Sequence, residues 1–162
     1  MPTTYEPIAT TTLGSAQSSV TFSSISGSYT DLVLVVAAAS NSAGTYSVTL
    51  RFNSDSGSNY SDTRITGNGT AAASNRDSSQ TEMYPVNITN TFGTVIHQIM
   101  NYSNATTNKT VLSRGISADY QVWANVGLWR KTPEAITTIL LSVAGNSFAS
   151  GSTFTLYGIK AA

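Results

Sequence analysis

Cysteine is absent from the 162-residue chain. That excludes disulfides, thiolate metal sites and thiol chemistry, and makes the fold independent of redox compartment. Charge is scarce as well: Asp, Glu, Lys and Arg make up 10% of the residues, against about 25% in ordinary soluble domains. The eight cations are balanced by eight acids. A near-neutral surface of Ser, Thr, Asn and Gly builds little long-range field, so the attraction behind most non-specific nucleic-acid binding is missing and nucleic acid is discounted as a partner. Such a balance also does little to keep copies apart, which suits a protein that works in an assembly.

Long apolar runs are missing too. The longest, Leu32 to Ala39, falls far short of the roughly 20 residues that span a bilayer, so no membrane partner is expected. The opening Met1-Pro2-Thr3-Thr4-Tyr5-Glu6-Pro7 lacks the basic region and apolar stretch of a signal peptide and reads as a mature end. Triplets such as Asn59-Tyr60-Ser61 arise by chance in a chain this rich in Asn, Ser and Thr, and no glycosylation is expected.

Catalytic signatures are equally thin. His97 is the sole histidine; a lone imidazole builds no multi-histidine metal site, and no Gly-x-Ser-x-Gly elbow accompanies it, so a structural role is expected. The acids are scattered without a close pair, several in turn-like contexts. No phosphate-cradling Gly-x-x-x-x-Gly-Lys loop occurs. Asn53-Ser54-Asp55-Ser56-Gly57-Ser58-Asn59 spaces oxygens like a calcium loop but carries one carboxylate and no closing glutamate, so a turn-rich hairpin is the expected reading. The expectation is a protein that is not an enzyme, with no catalytic residue, metal or cofactor.

What the chain does have is short β-branched and aromatic runs punctuated by Gly, Asn, Asp and Ser, with little helical periodicity. Residues 1–162 read as one all-β domain, a size that buries roughly 70% of its unfolded surface. In Tyr46-Ser47-Val48-Thr49-Leu50-Arg51-Phe52 the apolar residues alternate with polar ones, as in a strand with one wet face. Ser19 to Phe22, Thr110 to Leu112 and Thr153 to Ile159 behave alike. Leu32 to Val36 and Ala135 to Val143 are apolar on both faces, so either loops or a neighbouring subunit must cover them. Asn68-Gly69 marks a short hairpin, Lys131-Thr132-Pro133-Glu134 a turn into the Ala135 strand, and the small polar stretch Gly67 to Gln80 a long loop. Eight to ten strands predict an antiparallel β-sandwich, jelly-roll-like in preference to an immunoglobulin-type sandwich.

Val122-Trp123-Ala124-Asn125-Val126-Gly127-Leu128-Trp129 carries the candidate interaction site. Alternation sends Val122, Ala124, Val126 and Leu128 to one face, and Trp123, Asn125, Gly127 and Trp129 to the other. With the smaller aliphatic face in the core, Trp123 and Trp129 lie outward as interface anchors or a sugar-stacking platform. A bulge at Gly127 is the competing reading and would turn one ring inward, Trp129 before Trp123. Tyr120 joins Trp123 if the strand begins after it.

Several stretches point to a family. Tyr5-Glu6-Pro7-Ile8-Ala9-Thr10, Tyr29-Thr30-Asp31-Leu32-Val33-Leu34, Leu50-Arg51-Phe52-Asn53, Gly57-Ser58-Asn59-Tyr60-Ser61 and the ending Gly151-Ser152-Thr153-Phe154-Thr155-Leu156-Tyr157-Gly158-Ile159 resemble tailed-phage virion structural proteins. The resemblance implies a jelly-roll-like domain used as a free capsid decoration (cement) protein or at the tip of a head or tail fibre, and it carries over no catalytic residue. With its own methionine first and no fibre shaft ahead of the domain, the decoration role is the expected one. Its partners would then be the major capsid protein and two further copies in a homotrimer, on the capsid exterior of a virion whose proteins are made in the host cytoplasm. The alternative is a receptor- or carbohydrate-binding domain of a fibre.

Overall fold

The computed structural model describes residues 4–117 and 119–160. Among them are twelve strands, more than the eight to ten expected: β1 (Tyr5–Thr12), β2 (Ser19–Phe22), β3 (Asp31–Ala38), β4 (Tyr46–Phe52), β5 (Tyr60–Gly67), β6 (Ala72–Gln80), β7 (Met83–Ile88), β8 (Gly93–Met100), β9 (Lys109–Ser117), β10 (Gln121–Trp129), β11 (Ile139–Val143) and β12 (Thr153–Ile159). They form an eight-stranded sheet, ordered β1-β12-β3-β8-β9-β10-β5-β6, and a four-stranded sheet, β2-β11-β4-β7. Every paired neighbour is antiparallel.

The topology is a jelly roll with two insertions. Without β5, β6, β9 and β10, the sheets reduce to β1-β12-β3-β8 and β2-β11-β4-β7, the eight-strand, two-Greek-key arrangement of that fold. The β5–β6 hairpin is inserted between β4 and β7, and β9–β10 between β8 and β11. Both are laid on the large sheet side by side, joined where β10 pairs with β5.

The core lies between the sheets. Leu34, Phe154 and Leu156 from the large sheet and Leu50, Phe52 and Leu141 from the small one are fully buried, each contributing about 1.5–3 kcal/mol of apolar transfer free energy. Phe148 and Phe154 meet edge to face with centroids 4.9 Å apart, the geometry that ring quadrupoles favour. Of the apolar outer residues of β3, Val33 lies between Tyr157 of β12 and Gln98 of β8 and is buried without a covering loop, while Val35 and Ala37 are partly exposed.

Two expected elements change. Only Ile139–Val143 of the Ala135 run is strand. Before it, the Asn53 side chain accepts the N–H groups of Thr137 (2.9 Å) and Thr138 (3.1 Å), and Ile136 N–H bonds the Tyr102 carbonyl, so this backbone finds partners outside a ladder. The stretch Gly67 to Gln80 is not a loop. Asn68 and Gly69 (φ 86°) turn the chain, and Ala72–Gln80 pairs along β5.

Each of the four sheet edges is blunted against further strand pairing. β1 carries Pro7 and a register shift beside it, β2 has four residues, and β7 carries Pro85 and pairs with β4 through a register shift. On β6, Asn75 Oδ1 accepts the Arg76 N–H at 2.8 Å and Gln80 Nε2 donates to the Ser78 carbonyl at 2.9 Å. Side chains there occupy backbone groups that an added strand would need. The faces, not the edges, are left for contact.

Candidate functional site

The indoles lie inside the sandwich. Trp123 and Trp129 are buried, while Val122 and Val126 are about half exposed; this reverses the outward placement expected for Trp123, whereas Trp129 turns inward as the competing reading had it. The strand does alternate; what decides its orientation is the space beneath it. β7 packs under β5, β9 and β10, and this part of the core needs large rings. Trp129 sits 5.5 Å from Phe52 and 6.3 Å from Tyr60, centroid to centroid. Its Nε1–H donates to Asp55 Oδ2 at 2.6 Å, so the ring has a partner for its polar atom. No bulge interrupts β10, which pairs with β5 and β9 in unbroken register. Side chains buried within one chain cannot anchor an interface, which removes Trp123 and Trp129 from that role. Tyr120 precedes β10 and remains 39% exposed, its ring 5.9 Å from Trp123.

Gly127 makes this inner packing fit. A Cβ there would stand 2.0 Å from Met83 Sδ, and Met83 is fully buried. Gly127→Ala should therefore cost about 1–3 kcal/mol through overpacking, read as a lower urea midpoint. An unchanged midpoint would mean that Met83 moves aside freely.

The Asp55 loop has its own chemistry. Burial pushes the carboxyl pKa up, but hydrogen bonds from Trp129, Asn59 and the Gly57 N–H outweigh it and hold the pKa below the ordinary value. The carboxylate thus holds the turn and the indole together.

Outward from the large sheet lies an apolar face. Paired registers stack its residues in rows: Gly67, Val122, Ile116 and Thr94; then Ile65, Ala124, Arg114 and Ile96; then Thr63, Val126, Leu112 and Gln98; then Ser61, Leu128, Thr110 and Met100. Ile65 is 61% exposed, and Val122, Val126, Ile116 and Met100 are each between 44% and 51% exposed. The small Ala124 leaves a dip, and a groove of about 340 Å³ runs over it between Ile65 and Arg114.

Within these four rows the one charged side chain is Arg114; the flanking β3 carries Asp31, one position beyond the Leu32–Ile99 pair. The eight carboxylates are all engaged: Glu6 with Lys160, Asp62 and Asp77 with Arg64, Glu82 with Arg51, Glu134 with Lys131, Asp31 with the Asn101 N–H, Asp55 with Trp129, and Asp119 with Thr89 and Ser117. Lys109 is buried against the Asn104 and Thr107 carbonyls. Among the described residues, the guanidinium groups of Arg76, Arg114 and Arg130 have no ion pair or hydrogen bond. Arg114 stands in the middle of the apolar rows, and Arg76, opposite Thr63, shares the face at its β6 rim.

Beneath the same strands, on the inner side, His97 is fully buried. Its Nδ1 lies 2.9 Å from Ser113 Oγ, while Nε2 has no partner. Burial pushes its pKa down to about 4, so the ring is neutral at neutral pH.

Sequence reasoning separated the two faces of β10 but expected Trp123 outward and an inward Trp129 only through a bulge, and it did not single out Ile65, Leu112, Arg114 or Arg76. Alternation in Thr110 to Ser117, where Leu112, Arg114 and Ile116 share a face, held the available signal.

No family model matches the chain, and no curated protein matches it. Among solved structures, galectin LEC-6 of Caenorhabditis elegans is similar at a TM-score of 0.36, with 10% identity over 91% of this chain and 94% of that one.

Proposed function

We propose that the protein is a structural component of a phage virion, a decoration protein that binds the outside of the head and stabilises it by contact area. The observation that carries this reading is the half-exposed apolar face spread over β5, β10, β9 and β8. Soluble monomers rarely expose contiguous apolar surface on this scale unless something docks there. The phage assignment comes from the resemblance of the strand and turn motifs that bracket the chain. The partner is the major capsid protein, and copies associate as homotrimers so that modest contacts multiply into avidity. No chemistry on a substrate is required.

The alternative, a receptor- or carbohydrate-binding domain of a fibre, loses the platform that Trp123 and Trp129 would have offered and keeps Tyr120 as an exposed ring.

The test uses head particles prepared without this protein. The full chain should co-sediment with them to saturation and raise their resistance to heat, and its mass in solution should be three times the 17.0 kDa of one copy. A stable monomer that stays in the supernatant would overturn the reading.

A further inference from the structure

The apolar face is too positively charged to be its own partner. Face-to-face association of two copies would place Arg114 of each inside one interface with Arg76 of each at its rim, four guanidinium groups in all. None of the eight Asp and Glu side chains lies in the four rows around Arg114, and each already bonds another group of the fold. Burying a cation without a counter-charge costs several kcal/mol in other proteins. The size, by contrast, suits a stable contact. Five strands from β6 to β8, each about eight residues long, cover about 24 Å by 27 Å at standard strand spacing. That is on the order of 650 Å² in projection, close to the roughly 800 Å² per partner of an ordinary protein interface.

We infer that this face docks on a protein surface of complementary make-up: apolar side chains that lie over Ile65, Val122 and Val126, and an Asp or Glu carboxylate that enters the dip above Ala124 to pair with Arg114, with a second acid at the rim for Arg76. A guanidinium presents a planar fork of donors that a carboxylate can accept two at a time, so Arg114 sets the register of docking and the apolar rows supply the area. The inference rests on the decoration reading and deepens it, since it assigns the contacting face and the chemistry of the capsid surface beneath.

The experiment is a binding titration of head particles lacking this protein with the full chain and its variants. Arg114→Glu should weaken binding by about 30-fold or more, the usual consequence of reversing one partner of a desolvated charge pair. Arg76→Glu should weaken it less and reduce its salt dependence. Thr21→Glu, which adds the same charge to an exposed position of β2 in the other sheet, should leave binding unchanged. Thermal melts of the variants should match the wild type; if Arg114→Glu fails to fold, Arg114→Ala is used in its place with a loss of about tenfold expected. Wild-type binding that Arg114→Glu leaves intact would overturn this inference alone. A wild-type chain that does not bind the particles would bring down both the decoration reading and the inference. Two other results would also overturn it: self-association of the wild type that Arg114→Glu abolishes, or binding to phosphatidylglycerol vesicles in place of particles.

Discussion

Trp129→Ala should remove about 3–5 kcal/mol of folding stability, the range for deleting a buried aromatic side chain. In a chain of this length that lowers Tm by roughly 10–15 °C. The ring is 2% exposed and fills the space between Phe52 and Tyr60, so its removal leaves a cavity that neighbours in two sheets cannot close. It also takes away the indole donor of Asp55. Trp129→Phe partly separates the two contributions, since it keeps a six-membered ring in the core and loses the N–H with the rest of the five-membered ring. Its cost should be about 1.5–3 kcal/mol, the scale of one hydrogen bond to a charged group, and less than that of Trp129→Ala. Calorimetric melts of the two variants measure this. A Trp129→Ala protein that melts with the wild type would mean that the ring contributes nothing to the core.

The second large effect is one of pH. His97 is inaccessible to solvent, and burial lowers its pKa to about 4 from an ordinary 6.5. The unfolded chain therefore takes up a proton that the folded chain refuses, over the interval between those two values. The sign follows directly. Stability is complete above pH 6.5, falls as the pH drops toward 4, and by then has lost about 3 kcal/mol at 1.36 kcal/mol per pH unit. Urea midpoints at pH 7.5 and 4.5 should differ by about 1 M or more, given ordinary denaturant slopes. His97→Gln, which keeps a polar group beside Ser113 but does not titrate, should flatten the slope between pH 6.5 and 4.5. The same slope in that variant would assign the acid sensitivity to other groups.

Much of the architecture was legible because a strand with one wet face declares itself. Tyr46–Phe52 and Thr153–Ile159 were expected as strands and are β4 and β12. β6 was not legible, since its small polar residues carry no apolar period; β5 imposes the extended conformation on it by pairing. The Ala135 strand was overextended because the competing bonds of the Asn53 side chain come from a residue more than 80 positions away. The site failed at one step for one reason. Alternation assigns residues to two sets but cannot say which set meets the core when both are apolar. In β10 the choice fell to volume: the gap above β7 accepts two indoles and a methionine seated on Gly127, while Val122, Ala124 and Val126 are left outside. His97, expected as a structural residue, lies wholly within the fold.

The inserted hairpins have a consequence for how such a protein diversifies. Ile65, Leu112, Arg114, Val122 and Val126 all belong to β5, β9 and β10, while the eight framework strands complete their two Greek keys without them. The tryptophans on the underside of β10 act as the root of a graft. As long as they stay seated, the residues above can be rewritten to suit a new surface while the scaffold beneath is inherited unaltered.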